Sequence, residues 1–283
     1  MRALFPMILA SSTLFGCAYE AQEFGEDDED VGVAEGAFVE QNALEQNALL
    51  DNGLTENGVV KNGVVKNGVV KNGIIDSSTM STSVVDALSA DSADGQLARM
   101  LMKYIISCAL PSGHSIAFDW RDGQNTLHEV TYYGSLGLAP DYGKNDAVNL
   151  PVEQQEWLSA CLAARTNYYG TTVTISIRGD TGVLATDTTE RGIFNKQEGA
   201  FWGNLFADPP VLKSCHNSTN LSHSRAKLRD CAAGHDDSGN ILGCGPIVRM
   251  GDCSSACTGS ATADGAYTNC DSGKIRIITT FLD

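Results

Sequence analysis

Basic residues are scarce in this sequence, and nowhere do they form a cluster. The chain of 283 residues has 19 Lys and Arg against 35 Asp and Glu, for a formal net charge of −16. Twelve of the acidic residues, and no basic one, lie between Ala18 and Glu56. Binding to a phosphate backbone needs grouped Lys and Arg side chains, so we expect no nucleic-acid partner. The acidity belongs to an N-terminal segment and not to a face of a folded domain.

Motifs for metal binding and for hydrolysis are missing or incomplete. Histidine occurs five times, and no His-Glu-x-x-His spacing of a zinc hydrolase is present. The acidic run 26–30 lacks the alternating ligands and central glycine of a calcium loop. The sequence therefore predicts neither a cofactor nor a metal site.

The only long apolar run is N-terminal and too short to cross a bilayer as a permanent helix. Met1 and Arg2 precede the apolar stretch Ala3–Leu14, a pattern typical of a signal peptide, here residues 1–16. It ends in Leu-Phe-Gly-Cys, which resembles the bacterial lipobox and predicts lipid attachment at Cys17. Because Ala18 and not Asp follows, the resemblance implies the outer membrane. The alternative is an ordinary secretory peptide and a secreted protein.

Cysteine is the residue that the sequence has in quantity. Without Cys17 eight cysteines remain, an even number that can close four disulfides in an exported protein. Helix patterns place Cys108 and Cys161 on buried faces, which predicts that they pair. For the other six we predict sequential closure, because short loops lose the least entropy. These predicted pairs are Cys215 with Cys231, Cys244 with Cys253, and Cys257 with Cys270.

The region before the globular part divides by composition. Residues 17–39 are an acidic tether with too few apolar residues to fold. In residues 40–76 Asn recurs every five residues, each time followed by Ala or Gly and an apolar residue. A period of five fits neither helix nor strand, so we expect a string of turns that lies along the domain or acts as a spacer. Residues 77–94 form a Ser/Thr/Asp-rich linker with a loose helical turn at 84–88.

Residues 95–283 are predicted to form one disulfide-stabilised α+β domain of antiparallel strands with two main helices, preceded by the low-complexity repeat linker. Apolar spacing predicts helices over 97–108 and 152–165. Alternating patterns predict a hairpin of 115–120 with 126–133 and a half-buried strand at 171–178. The aromatic cluster 199–206 is expected in a glycine-rich turn, as a core plug or a stacking platform. Short strands are expected at 211–213 and 247–250, and a central strand at 274–281.

Three features together resemble one group of proteins. They are the Asn-Gly-apolar repeats behind a lipobox, the segment Trp157–Asn167, and the segment Gly199–Phe206. This combination is similar to uncharacterised cysteine-rich secreted lipoproteins of myxobacterial type. The resemblance implies a location in the cell envelope and implies no mechanism.

Two classes of function remain from the sequence. The first is a cell-envelope lipoprotein with a structural, adhesive or binding role, anchored in the membrane through its lipid and binding an envelope or extracellular protein or glycan. The second is a secreted hydrolase. Ser224 and Lys227 have the Ser-x-x-Lys form of penicillin-binding proteins, although the companion motifs are missing. His216, His223 and His235 are the other candidate centre. Convergence of these side chains in one pocket distinguishes the two classes.

Overall fold

The computed structural model describes residues 39–42, 44–45, 70–71, 74–76, 82–143, 150–169, 171–259, 261–271 and 275–283. All of them belong to one compact unit, Glu35–Asp283. Predictions that concern the signal peptide, Cys17, the acidic tether and most of the repeat segment lie outside the described residues.

The described residues form twelve strands and seven α-helices. The strands are β1 Val39–Asn42, β2 Leu44–Glu45, β3 Val70–Lys71, β4 Ile74–Asp76, β5 Ser115–Arg121, β6 Leu127–Tyr133, β7 Thr166–Asn167, β8 Val173–Arg178, β9 Lys196–Asn204, β10 Val211–His216, β11 Val248–Asp252 and β12 Ile277–Leu282. The helices are α1 Thr82–Ser89, α2 Ala93–Ala109, α3 Val152–Arg165, α4 Thr188–Ile193, α5 Leu221–Ala226, α6 Asp230–Ala233 and α7 Cys253–Ala256. The α+β class is confirmed.

The larger sheet has six strands in the order β1-β8-β12-β9-β10-β11. Strand β12 lies between β8 and β9, and all six of its residues are buried, as an apolar C-terminal run requires. Strand β8 is buried from Ile175 to Arg178, not on alternate residues as its pattern predicted. At the end of this strand the guanidinium group of Arg178 donates hydrogen bonds to the backbone oxygens of Asp264 and Phe194.

The second sheet has the order β3-β4-β5-β6 and contains the predicted hairpin. Strands β5 and β6 pair from Ser115 with Tyr133 to Arg121 with Leu127. The Asp122 carboxylate accepts hydrogen bonds from the backbone N–H groups of Gln124 and Thr126 and so closes the turn. The predicted antiparallel arrangement holds for most of the described strand pairs, whereas β2–β7, β4–β5 and β10–β11 pair in parallel.

Helices α2 and α3 are the two longest of those described and were both predicted. The Ser92 hydroxyl caps α2 by accepting from the backbone N–H of Gly95, and α3 begins after Pro151. The predicted disulfide between Cys108 and Cys161 joins the two helices in the core. No helix in the described ranges has both the length and the apolarity needed to cross a membrane.

The expected linker 77–94 contains part of the core. Val84 and Leu88 of α1 are fully buried in the main hydrophobic cluster, and α2 already begins at Ala93. Burial of two such side chains contributes roughly 1.5–3 kcal/mol each. The loose helical turn predicted at 84–88 is part of a longer helix, whose i, i+4 apolar pair packs on the core.

The aromatic segment 199–206 is not a turn. Most of it belongs to β9, where Phe201 and Trp202 are fully buried on the two faces of the sheet. Neither ring is available to stack on a ligand, so the stacking-platform alternative is wrong and the segment is core. Gly199 permits close strand pairing, since a Cβ at this position would lie 2.2 Å from the backbone oxygen of Cys215.

The disulfide pairing in the cysteine-rich third, from Cys215 to Cys270, differs from the prediction. Cys257 pairs with Cys270 as expected, whereas Cys215 pairs with Cys253 and Cys231 with Cys244. The sequential pairs of Cys215 with Cys231 and of Cys244 with Cys253 are therefore wrong. The parallel pairing of β10 with β11 brings Cys215 beside the start of α7, where Cys253 lies. Sheet topology decides this bond, and loop length does not.

Candidate binding site

A shallow groove of about 320 Å³ lies where the start of β8 meets the end of α5. One wall is the segment 171–174, which contributes three threonines and Val173. The other wall is the segment 226–228, with Asp283 at its edge. The lining therefore combines hydroxyl groups, one ion pair and small apolar surfaces.

Two adjacent tyrosines stand next to the first wall. Tyr168 and Tyr169 are 54% and 44% exposed, and their rings meet edge to face with centroids 5.3 Å apart. The buried Asn167 holds the turn that carries them, since its side chain accepts from the N–H of Tyr169 at 2.9 Å and donates to the backbone oxygen of Thr171 at 2.8 Å. The two rings are thus presented to solvent on a fixed backbone.

The Tyr169 hydroxyl is directed towards the second wall. It donates to a carboxylate oxygen of Asp230 at 3.3 Å. Partial burial, together with the neighbouring Asp230 charge, raises the pKa of Tyr169, so the hydroxyl stays protonated at neutral pH. This bond connects the tyrosine turn to the start of α6.

Arg229 follows the second wall in the chain and anchors that part of the chain to the core. Its guanidinium bonds both oxygens of Glu198, at 2.8 and 3.1 Å, and both side chains are fully buried. It also donates to the backbone oxygens of Thr166 and Ala164, at 2.8 and 2.9 Å. The Arg229 side chain therefore connects β9 and the end of α3 to the residues that follow Leu228 in the second wall.

Lys227 and Asp283 form the polar edge of the groove. The ammonium group lies 2.7 Å from a carboxylate oxygen of Asp283 and lowers the pKa of that carboxyl. The His223 ring contacts the backbone oxygen of the same residue. Lys227 and His223, two residues of the candidate hydrolase centres, are therefore already bonded to Asp283.

The Ser-x-x-Lys pair does not assemble as a nucleophile and its base. The Ser224 side chain is buried, and its hydroxyl has no hydrogen-bond partner in the described part of the chain. The Lys227 ammonium group is engaged with Asp283 at the surface. Ser224 faces the interior of the protein and Lys227 faces solvent, so the two side chains do not share one surface.

The three histidines do not converge either. His216 and His235 are buried with ring centroids 5.2 Å apart, while His223 lies at the groove edge. The sulfur atoms of Cys215, Cys253 and Cys257 lie within 4.8 Å of one another. All three belong to disulfides, so they are not the thiolates that a metal ion binds.

The sequence pattern did not single out Tyr168 and Tyr169 beside the groove. They follow the predicted helix 152–165 directly, in the order Asn-Tyr-Tyr-Gly, which indicates a turn, but two neighbouring aromatic residues are equally typical of a core. No protein-family model, no curated protein and no solved structure matches this chain.

Proposed function

We propose that this protein is a cell-envelope binding protein whose ligand is a polysaccharide, and that Tyr168 and Tyr169 with the adjoining groove form its binding surface. The observation that carries the proposal is the pair of exposed tyrosine rings beside a groove lined by threonines. The tyrosines directly precede the first wall of the groove in the chain, and the side chain of Asn167 holds the turn that carries them.

The chemistry of the surface fits a sugar better than a charged or purely apolar ligand. A pyranose ring has C–H faces that pack on aromatic rings, and hydroxyl groups at its rim that bond to polar side chains. Tyrosine supplies both an apolar ring and a hydroxyl group. Among the described residues that line the groove, Lys227 is the one cation, and Asp283 neutralises it. These lining residues therefore carry no net charge with which to select an anionic ligand.

We propose further that lipid at Cys17 holds the protein in the outer membrane. The acidic tether and repeat-bearing linker would then precede one disulfide-stabilised domain. The lipobox resemblance supports this, and so does cysteine pairing, because the eight remaining cysteines bond among themselves and leave Cys17 no partner within the chain. Membership of the myxobacterial-type group remains a prediction.

Co-sedimentation with purified cell-wall and extracellular polysaccharides tests the binding proposal. The wild-type protein is expected to pellet with at least one of them, and the Tyr168→Ala/Tyr169→Ala variant to stay in solution. Tyr133→Ala is the matched control, since Tyr133 is 69% exposed on β6 and lies outside the groove lining. The proposal fails if the double variant pellets as the wild type does, or if the wild type binds none of the polysaccharides.

Metabolic labelling with palmitate tests the anchor. Label is expected in the wild-type protein and not in Cys17→Ala. Equal labelling of the two would overturn the lipoprotein proposal and leave the binding proposal standing.

A further inference from the structure

His216 and His235 form a buried pair that the proposed binding surface does not use. His216 ends β10 and pairs across to Asp252 of β11, and His235 follows α6. The two residues are 2% and 1% exposed, and the ring centroids are 5.2 Å apart at an interplanar angle of 59°. Distant parts of the sequence therefore place two imidazoles together in the interior.

Each ring has a nitrogen without a hydrogen-bond partner among the described residues. His235 Nδ1 lies 3.0 Å from the backbone oxygen of Asp236, and because a carbonyl only accepts, Nδ1 carries the proton. In the neutral ring this leaves a free lone pair on Nε2, which is buried and unbonded, as is His216 Nδ1. A buried polar atom without a hydrogen bond costs about 1–3 kcal/mol. When His216 carries its proton on Nε2, both of these nitrogens have a free lone pair for one shared ligand.

We propose that His216 Nδ1 and His235 Nε2 bind one divalent transition-metal ion, of the zinc and copper class that imidazole favours. Two histidines on one tetrahedral ion, with metal–nitrogen bonds of about 2.1 Å, hold their ring centroids roughly 5 Å apart. The observed 5.2 Å agrees. The bond from His235 Nδ1 to a backbone carbonyl is the outer contact that orients metal-binding histidines.

Two carboxylate residues lie near the histidine pair. Asp252 is the partner of His216 across β10 and β11, and Asp236 follows His235 in the chain. No group of three His, Cys, Asp or Glu donors within 4.8 Å includes these histidines in the described ranges. The site is thus a two-histidine site and not a closed structural zinc site.

The direct test is a zinc titration of the chelator-treated full chain, followed by NMR of its ¹⁵N-labelled imidazole rings. The His216 Nδ1 and His235 Nε2 signals are expected to shift with one equivalent of zinc, and those of His114, His128 and His223 to stay unchanged. Shifts confined to the latter three histidines, or no shift at all, would overturn the proposal. This measurement uses the wild-type chain and does not depend on a variant that folds.

A pair of glutamine variants supplies the second test. By calorimetry, His223→Gln is expected to keep the wild-type zinc stoichiometry of one, while His235→Gln loses more than about tenfold in affinity. His223 is the matched control because it belongs to the neighbouring helix α5 and contacts the surface residue Asp283. Equal affinity of both variants would contradict the assignment.

Discussion

Replacing Arg229 by methionine should destabilise the domain strongly, because the substitution leaves a buried charge alone. Arg229 and Glu198 are both fully buried, and the guanidinium group supplies the only hydrogen bonds that the Glu198 carboxylate receives in the described structure. The same substitution removes the donors to the backbone oxygens of Thr166 and Ala164. Breaking a buried pair from one side costs about 3–5 kcal/mol.

The assay is equilibrium unfolding in urea with the disulfides intact. At a slope of about 2 kcal/mol/M, a loss of about 4 kcal/mol lowers the midpoint by roughly 2 M. Arg225→Met is the control, since Arg225 lies four residues earlier in the chain and its ion pair with Asp237 is exposed. Its midpoint should stay at that of the wild type, because exposed ion pairs contribute little.

A double variant separates the lost charge partner from lost packing. In Arg229→Met/Glu198→Met neither charge remains, so the double variant should be more stable than Arg229→Met alone. The reasoning is refuted if Arg229→Met unfolds at the same urea concentration as Arg225→Met. It is equally refuted if removing Glu198 destabilises Arg229→Met further.

Two other predictions concern the cysteine-rich third and its neighbouring strand. Peptide mapping without reductant should recover a fragment linking Cys215 to Cys253, and recovery of the sequential pair in its place would contradict the fold. Gly199→Ala should destabilise by about 1–3 kcal/mol, since its Cβ would meet the backbone oxygen of Cys215 at 2.2 Å. The control is Gly192→Ala in α4, where a Cβ would meet open space, and this variant should unfold at or slightly above the wild-type temperature. If Gly199→Ala and Gly192→Ala melt at the same temperature, the strands around Gly199 relax freely and the prediction is wrong.

Elements with a strong local pattern could be predicted from the sequence. Helix α3 has the predicted bounds, and the hairpin of β5 and β6 differs from prediction by a single residue at each strand. In these segments the apolar period, a proline at the helix start and a turn residue all favour the same structure. The buried pair of Cys108 and Cys161 followed from the helix faces for the same reason.

Features that depend on distant parts of the chain could not be predicted. Arg229 and Glu198 are 31 residues apart, and nothing local distinguishes them from surface residues. The aromatic run around Phe201 was expected in a turn because of its glycines, whereas in β9 those glycines permit close strand pairing. The tyrosine pair stands out only because both rings are exposed to solvent, and the histidine pair only because both rings are buried. The local sequence indicates neither.

Contact of Tyr168 and Tyr169 with a polysaccharide is measured most directly by an NMR titration of the tyrosine-labelled protein with soluble fragments of a polysaccharide that co-sediments with it. The ring signals of these two tyrosines are expected to shift, while those of the buried Tyr132 and Tyr142, which lie outside the groove lining, stay unchanged. Binding that leaves the Tyr168 and Tyr169 signals unshifted would overturn the proposed binding surface.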